Sequence, residues 1–177
     1  GRRVRNLANS VTWGFSIAAS TLVGQRLGRG EERDAGAFGS EIIRLSLVVY
    51  LIVAAVVAGF AGPIAGVFVD DPAAVDLTTD FVLVAAVSVI PLGVGGSASG
   101  VLRGAGDTRV PFYASLIGLY GCALPAAYLG VVTPLGVTAL YFALVVETAV
   151  PAAIMLRRFH TDRWKAVSRA YRPSADD

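Results

Sequence analysis

The chain has 177 residues, of which 55% are hydrophobic and 16% charged, and its mean hydropathy is +0.65. Soluble domains carry about 25% charged residues, so this composition excludes an ordinary soluble domain and predicts a membrane protein. Cys122, His160 and Lys165 are each the single residue of their kind, which excludes an intrachain disulfide, a metal-ligand spacing and most catalytic constellations. We therefore expect no metal site and no cofactor.

Five stretches of the chain are apolar enough to form transmembrane helices. A helix needs about 20 residues, at roughly 1.5 Å each, to cross about 30 Å of hydrocarbon. We predict an all-α polytopic membrane helix bundle in residues 1–157, followed by a cytoplasmic basic tail in residues 158–177. The predicted spans are approximately 6–24, 42–69, 80–102, 110–132 and 134–156.

Two connections, GQRLGRGEERDA at 24–35 and VLRGAGDTRVP at 101–111, are rich in glycine and arginine. Neither contains the lysine of a Walker phosphate-binding loop, and neither matches the dinucleotide fingerprint. Glycine supplies the left-handed conformations that end helices, and Asp107 and Thr108 are suited to cap the helix that follows. We therefore predict two turns, with Gly104 and Gly106 forming the second. The structural motif residues are Gly24, Gln25, Gly28, Arg103, Gly104, Gly106 and Asp107.

The connections alternate in charge. Residues 25–36, 103–109 and the tail are basic, whereas 61–80 and 129–134 contain no lysine or arginine. The positive-inside rule places the basic connections and the C-terminus in the cytoplasm. The sequence thus predicts a multi-pass protein of the cell membrane.

The basic tail also contains aromatic residues, Phe159, Trp164 and Tyr171. Aromatic rings at the membrane interface with cations just beyond them are typical of a segment that lies on anionic headgroups. We expect membrane lipid as the partner of this segment, and no nucleic acid, because such a density of basic residues is ordinary beside a membrane.

Glu147 lies near the middle of the last predicted span. An ionised carboxylate there costs about 2.5–3.5 kcal/mol on insertion scales. Such a residue is typical of a proton-coupling or cation-binding site, or else it is a neutral side chain hydrogen-bonded to a neighbouring helix. Asn9 and Thr12 in the first span could contribute to the same site, or could be polar contacts between helices.

The two glycine-rich connections resemble motifs of the multidrug and toxic compound extrusion (MATE) family, particularly its prokaryotic, DinF-like branch. The pattern V-G-Q-x-L-G-x-G matches residues 23–30, and L-R-G-x-G-D-T matches residues 102–108. The segments ALPAAYLG and RRFHTDRW strengthen the resemblance, which covers nearly the whole chain.

This resemblance implies a cation-coupled antiporter that exports drugs or small organic cations by alternating access. Family members have twelve helices in two six-helix lobes around a central cavity, so the chain would be the last five helices, with the N-terminal lobe on the same polypeptide or a partner chain. The resemblance leaves H⁺ or Na⁺ as the coupling ion. It favours H⁺, because 81–102 lacks the acid that some sodium-coupled members carry there.

Three other functions remain open at this point. Relatives of the family flip lipid-linked precursors, and a single charge inside the spans is weak evidence against that activity. A membrane-embedded enzyme is disfavoured because GGSASG misses the serine-hydrolase motif G-x-S-x-G and no span contains histidine. A noncatalytic scaffold fits the composition but leaves Glu147 and both motifs unexplained.

Overall fold

The computed structural model describes the backbone of residues 2–69 and 71–170, and the side chains of 13–69, 71 and 74–170. Within these residues the chain is helical with no strand, which confirms the all-α prediction. The elements are α1 Arg2–Gly28, α2 Glu32–Gly59, α3 Ala61–Phe68, α4 Pro72–Gly104, α5 Arg109–Leu116, a π-helical segment Ile117–Ala123, α6 Leu124–Val132, α7 Val137–His160 and α8 Arg163–Ala170.

Four segments of the described chain are long and apolar enough to cross a membrane. Each falls on one of the predicted spans, and the third runs without a break through α5, the π-helical segment and α6. The predicted span 6–24 lies on α1, but the side chains of its first half are outside the described residues, so its membrane location stays a prediction. The four segments are Glu32–Gly59, Ala74–Gly104, Arg109–Val132 and Val137–His160.

The helices do not have the same bounds as the predicted second span, 42–69. Helix α2 begins at Glu32 and ends at Gly59, and after Phe60, whose φ and ψ are −106° and 14°, a separate short helix α3 follows. A charge-free run locates the hydrocarbon segment, whereas the helix itself continues through charged residues on either side. For the same reason the predicted third span, 80–102, is only the later part of α4, and α7 runs from Val137 to His160, whereas the last predicted span is 134–156.

Helix α4 is the centre of the bundle and packs against α1, α2, α3 and α7. Its small residues allow the close approach that associates membrane helices. A Cβ on Gly93 would overlap the ring of Tyr50 on α2, and a Cβ on Gly100 would overlap the backbone of Ser16 on α1. The stretch 93–100 is therefore a packing surface.

The buried core lies at one end of the bundle, where α1, α4 and α7 finish and α8 docks; we call it the basic end. Large apolar side chains along the helices are exposed, as expected for surfaces that contact lipid. The core cluster at the basic end consists of Ala19, Val23, Leu27, Ala35, Ala98, Val101, Leu102, Ala105, Ala114, Met155, Phe159 and Trp164.

The predicted placement of Phe159 and Trp164 at the lipid headgroups is wrong. Helix α7 continues past residue 157 to His160, and Asp162 with φ of 54° turns the chain back into α8. Trp164 is fully buried, its ring stacks on Phe159 with centroids 5.7 Å apart, and its Nε1 donates a hydrogen bond to the Phe159 oxygen at 3.0 Å. The first part of the tail belongs to the core, while Tyr171 is outside the described residues.

Candidate functional site

Glu147 on α7 lies between two cavities in the middle of the bundle. The first, of about 340 Å³, is lined by α4, α5, the π-helical segment and α7 and contains three hydroxyl residues, Ser99, Ser115 and Thr148; we call it the serine cavity. The second, of about 290 Å³, is otherwise lined by apolar side chains and is called the apolar cavity. Glu147 and Leu119 line both cavities, so Glu147 lies between a cavity that contains hydroxyl groups and one that is otherwise apolar.

Two prolines shape the serine cavity. Pro91 lies inside α4 and Pro151 inside α7, and both line this cavity. Proline has no N–H, so each ring removes the hydrogen bond to the carbonyl four residues earlier. The backbone oxygens of Val87 and Glu147 therefore lack the N–H that would be their α-helical donor, and Glu147 itself lines the cavity.

The π-helical segment faces the same part of α7. Pro125 cannot donate to the Gly121 oxygen, and the Leu124 N–H bonds instead to the oxygen of Leu119, five residues back. Gly118 lies so close to α7 that an added Cβ would be 2.5 Å from Cγ of Pro151. π-helical turns occur frequently at functional sites, and this one forms the wall opposite Glu147.

The side chain of Glu147 is exposed to the two cavities. Within the part of the chain that the structure describes, it makes no hydrogen bond and no ion pair. The alternative of a neutral Glu147 bonded to a neighbouring helix therefore has no support among these residues. The side chains of Asn9 and Thr12, predicted as further site residues, are outside the described residues.

The three hydroxyl residues of the serine cavity were missed by the sequence reasoning. Ser115 donates to the Pro111 oxygen at 2.9 Å and Thr148 to the Val145 oxygen at 3.1 Å, which leaves their lone pairs toward the cavity. Small polar residues are common in membrane helices, so only their convergence on one cavity distinguishes them. Among the described side chains, no group of three His, Cys, Asp or Glu could hold a metal ion.

A third cavity, of about 350 Å³, lies between α1 and α4 on the other side of Ser99. Arg103 lines this cavity together with Trp13, Ser16 and Ser20. Gly96 and Ser99 belong to both this cavity and the serine cavity. One face of α4 thus connects the neighbourhood of Glu147 with an arginine at the basic end.

The two glycine-rich connections form the same backbone turn. Gly30 and Gly106 have φ of 82° and 83°. The Glu31 N–H bonds to the Arg26 oxygen at 2.9 Å, and the Asp107 N–H bonds to the Leu102 oxygen at the same distance. These six-to-one bonds, with the glycine in the left-handed conformation, define a Schellman helix end, as predicted for Gly106.

Gly104, predicted to form the turn with Gly106, is the last residue of α4 and lies within the hydrogen-bonded turn from Leu102 to Asp107. A Cβ on Gly104 would lie 2.5 Å from the Ser20 oxygen of α1. A Cβ on Gly24 would in turn lie 3.2 Å from the Gly104 oxygen, whereas Gly28 has open space and Gln25 is exposed. The two motifs therefore contact each other, and Gly24 and Gly104 permit that contact.

The predicted capping role of Asp107 is wrong. Thr108 precedes α5 and makes no side-chain cap hydrogen bond. The Asp107 carboxylate is 5% exposed and accepts a hydrogen bond from Nε of Arg158 on α7 at 2.8 Å. A partner 51 residues away had no signal in the local sequence.

Helix α8 is joined to the start of α2. Arg169 donates from Nε and Nη2 to the two carboxylate oxygens of Glu32, at 2.7 and 2.6 Å. This hydrogen bonding, together with the negative charge of Glu32, raises the pKa of Arg169 above its ordinary value. At the basic end, an ion pair between Arg169 and Glu32 thus connects α8 with α2, and an ion pair between Arg158 and Asp107 connects α7 with the turn between α4 and α5.

Residues 1–129 match the family model MatE. The chain belongs to the MATE family. The resemblance of its two motifs is therefore confirmed at the level of the family, and both motifs lie at the basic end of the fold.

The MATE family relatives of the chain are named as transport or resistance proteins. A probable multidrug resistance protein NorM of Rhodopseudomonas palustris is 32% identical over 155 residues, covering 85% of the chain and 33% of that protein. Multidrug and toxin extrusion protein 2 of Mus musculus is 27% identical over 164 residues, covering 92% of the chain and 29% of that protein. These names agree with the expectation that the chain is not an enzyme.

The crystal structure of the eukaryotic MATE transporter AtDTX14 has the same fold over 93% of the chain and 39% of that structure, with a TM-score of 0.75 and 23% identity. The chain thus spans about a third of the length of the curated MATE relatives that it matches. Its assignment to a DinF-like branch stays a prediction, because the relatives named above do not test it.

Proposed function

We propose that the chain forms most of the C-terminal lobe of a MATE antiporter, which exports drugs or small organic cations in exchange for H⁺ or Na⁺. The observation that carries this proposal is the carboxylate of Glu147, which faces two cavities and has no cationic partner among the described residues. A charge placed in this way inside membrane helices is by default a functional group.

The chemistry of antiport follows from competition for one carboxylate. An ionised Glu147 attracts an organic cation, while the apolar cavity, with walls such as Phe81 and Leu140, accommodates its hydrophobic body. Protonation of Glu147, or occupation by Na⁺, removes the negative charge that holds the substrate. The coupling ion and the substrate then bind in alternation, which is the requirement for exchange.

The backbone around Glu147 supports alternating access. Pro91, Pro151 and the π-helical segment interrupt three neighbouring helices at the same cavity. Interrupted helices have fewer hydrogen bonds to break when they change their bend. We propose that these positions bend as the cavity opens to one side of the membrane and then the other.

The opposite wall of the transport path belongs to the N-terminal lobe, on the same polypeptide or on a partner chain. This follows from the chain's coverage of about a third of its relatives. We place the basic end in the cytoplasm and the acidic connection around Asp71 and Asp76 outside, by the positive-inside rule. Lipid surrounds the exposed apolar side chains.

The proposal is tested by Glu147→Gln in the full-length protein, reconstituted in vesicles. Uptake of a fluorescent organic cation is driven first by a pH gradient and then by a Na⁺ gradient. We expect Glu147→Gln to reduce ion-driven uptake by at least about tenfold, since one electrostatic contact of this kind is worth about 1.4 kcal/mol or more.

The matched control is Asp76→Asn, which removes an exposed carboxylate near the start of α4, away from both cavities that Glu147 lines. This variant should change uptake by less than about twofold. Unchanged ion-driven uptake in Glu147→Gln would contradict the proposal. The gradient that drives uptake in the unaltered protein identifies the coupling ion.

A further inference from the structure

A fourth cavity, of about 360 Å³, lies at the basic end between the start of α5, the end of α7 and the start of α8. None of its lining residues lines the serine cavity or the apolar cavity. Three of its lining side chains are arginines, so we call it the arginine cavity. It is lined by Val110, Ile154, Arg157, Arg158, Thr161 and Arg163.

The arginines of this cavity have N–H donors that are not used by carboxylates of the described residues. Arg157 and Arg163 are exposed, and neither has a carboxylate partner in the described part of the chain. Arg158 uses its Nε for Asp107, which leaves both Nη groups without a partner among the described residues. The nearby carboxylate of Asp162 is held by Lys165 at 2.8 Å. The cavity therefore presents uncompensated positive charge.

The other walls of the cavity restrict the kind of anion that fits. Val110 and Ile154 give it an apolar side, and both belong to membrane-length helices. The Thr161 hydroxyl donates to the Arg158 oxygen at 2.9 Å, so its proton is already used. The N-terminal end of α8 begins at Arg163, and the helix dipole there favours an anion. Guanidinium groups match the geometry of phosphate oxygens.

We propose that the arginine cavity binds the phosphate group of an anionic phospholipid in the leaflet at the basic end. The apolar side selects a lipid over soluble phosphate, because an acyl chain can lie on Val110 and Ile154 while the headgroup meets the arginines. Basic pockets at the ends of membrane helices bind anionic headgroups on the same physical grounds. Lipid binding at this cavity does not depend on the proposed transport function, so an experiment can contradict one proposal and leave the other standing.

A bound headgroup also connects two parts of the basic end. Arg158 would contact the lipid through its Nη groups while keeping Asp107 through Nε. The lipid would therefore strengthen the attachment of the α4–α5 turn to α7, and anionic lipid should raise the thermal stability of the protein by preferential binding to the folded state.

The test measures binding of short-chain phosphatidylglycerol, phosphatidylcholine and inorganic phosphate to the delipidated full-length protein in uncharged detergent. The unaltered protein should bind phosphatidylglycerol at least about tenfold more tightly than the other two. The double variant Arg157→Gln with Arg163→Gln should lose at least about tenfold in affinity for phosphatidylglycerol, since each arginine near a lipid surface contributes about a fivefold factor.

The matched control is Arg29→Gln with Arg33→Gln, which removes two exposed arginines from the same end but outside the cavity. It should change the affinity by less than about twofold. If the first double variant does not fold, Arg163→Gln alone, on α8, should still weaken binding by about threefold or more.

Three outcomes would overturn the proposal. Equal losses in both double variants would show diffuse attraction to a charged surface. Inorganic phosphate that binds as tightly as phosphatidylglycerol and displaces it would show a site for soluble phosphate. Unchanged binding in the cavity variants would show that these arginines hold no lipid.

Discussion

Asp107 and Glu147 are two carboxylates of the same bundle in opposite surroundings. Asp107 is 5% exposed and bonded to Arg158 at 2.8 Å, in the end of the molecule that also holds the buried core. Glu147 faces two cavities and has no bond to another described side chain. The acid with a protein partner fixes helices to one another, and we propose that the acid without one binds an external cation.

The difference extends to the packing around each residue. At the basic end, backbones approach closely at Gly104, and a stacked pair of aromatic rings fills the space beneath α8. Around Glu147 the helices are interrupted by Pro91, Pro151 and the π-helical segment, and cavities separate them. A rigid end beside an adjustable middle is the arrangement that we propose for the transport lobe.

The largest expected effect on stability comes from breaking the ion pair between Arg158 and Asp107. Arg158→Ala should lower the free energy of unfolding by about 2–3 kcal/mol, because it leaves the carboxylate of Asp107 buried without its partner. Glu147→Gln should change it by less than about 0.5 kcal/mol, since no bond among the described residues is lost. Denaturant unfolding in detergent measures both. Equal destabilisation by the two variants would remove the distinction between the two acids.

A smaller effect is expected from the close contact of the two motifs. Gly104→Ala should destabilise the protein by about 1–3 kcal/mol, because the new Cβ would meet the Ser20 oxygen and force α1 away from α4. Gly28→Ala is the control, as nothing lies within 4 Å of its added Cβ. Thermal unfolding followed by circular dichroism compares them. A Gly104 variant as stable as the Gly28 variant would show that this contact tolerates separation.

The smallest expected effect tests whether the two turns are equivalent. Gly30→Ala and Gly106→Ala should each cost about 1–2 kcal/mol, because both positions have φ near 82°, where an L side chain is strained. The same unfolding measurement applies. A difference of more than about 1 kcal/mol between the variants would mean that the burial of Asp107 changes the cost of the turn beside it.

The sequence was sufficient for features that depend on local chemistry. Charge-free runs located four membrane helices, and Gly106 was identified as a turn residue because few other residues adopt its backbone conformation. Glu147 was singled out because a charge inside an apolar span is costly, and its role in binding stays a proposal. The motifs then indicated the family that the match over residues 1–129 confirmed.

Features that depend on contacts between residues far apart in the chain could not be predicted from the sequence. Asp107 was expected to cap α5 because its true partner, Arg158, lies 51 residues away. Trp164 was placed at the headgroups because an aromatic residue among cations has the same pattern in a core as at an interface. Helix ends were misplaced because hydropathy measures the hydrocarbon segment and not the helix. Cavities arise only when the helices are assembled.

The central claim is that Glu147 binds the substrate cation and the coupling ion in alternation. The direct measurement is the equilibrium affinity of the purified full-length protein for a fluorescent organic cation across a pH series, with and without Na⁺, in the unaltered protein and in Glu147→Gln. We predict that protons or Na⁺ weaken substrate binding to the unaltered protein, and that the variant binds weakly and without this dependence. The same competition in both proteins would contradict the account.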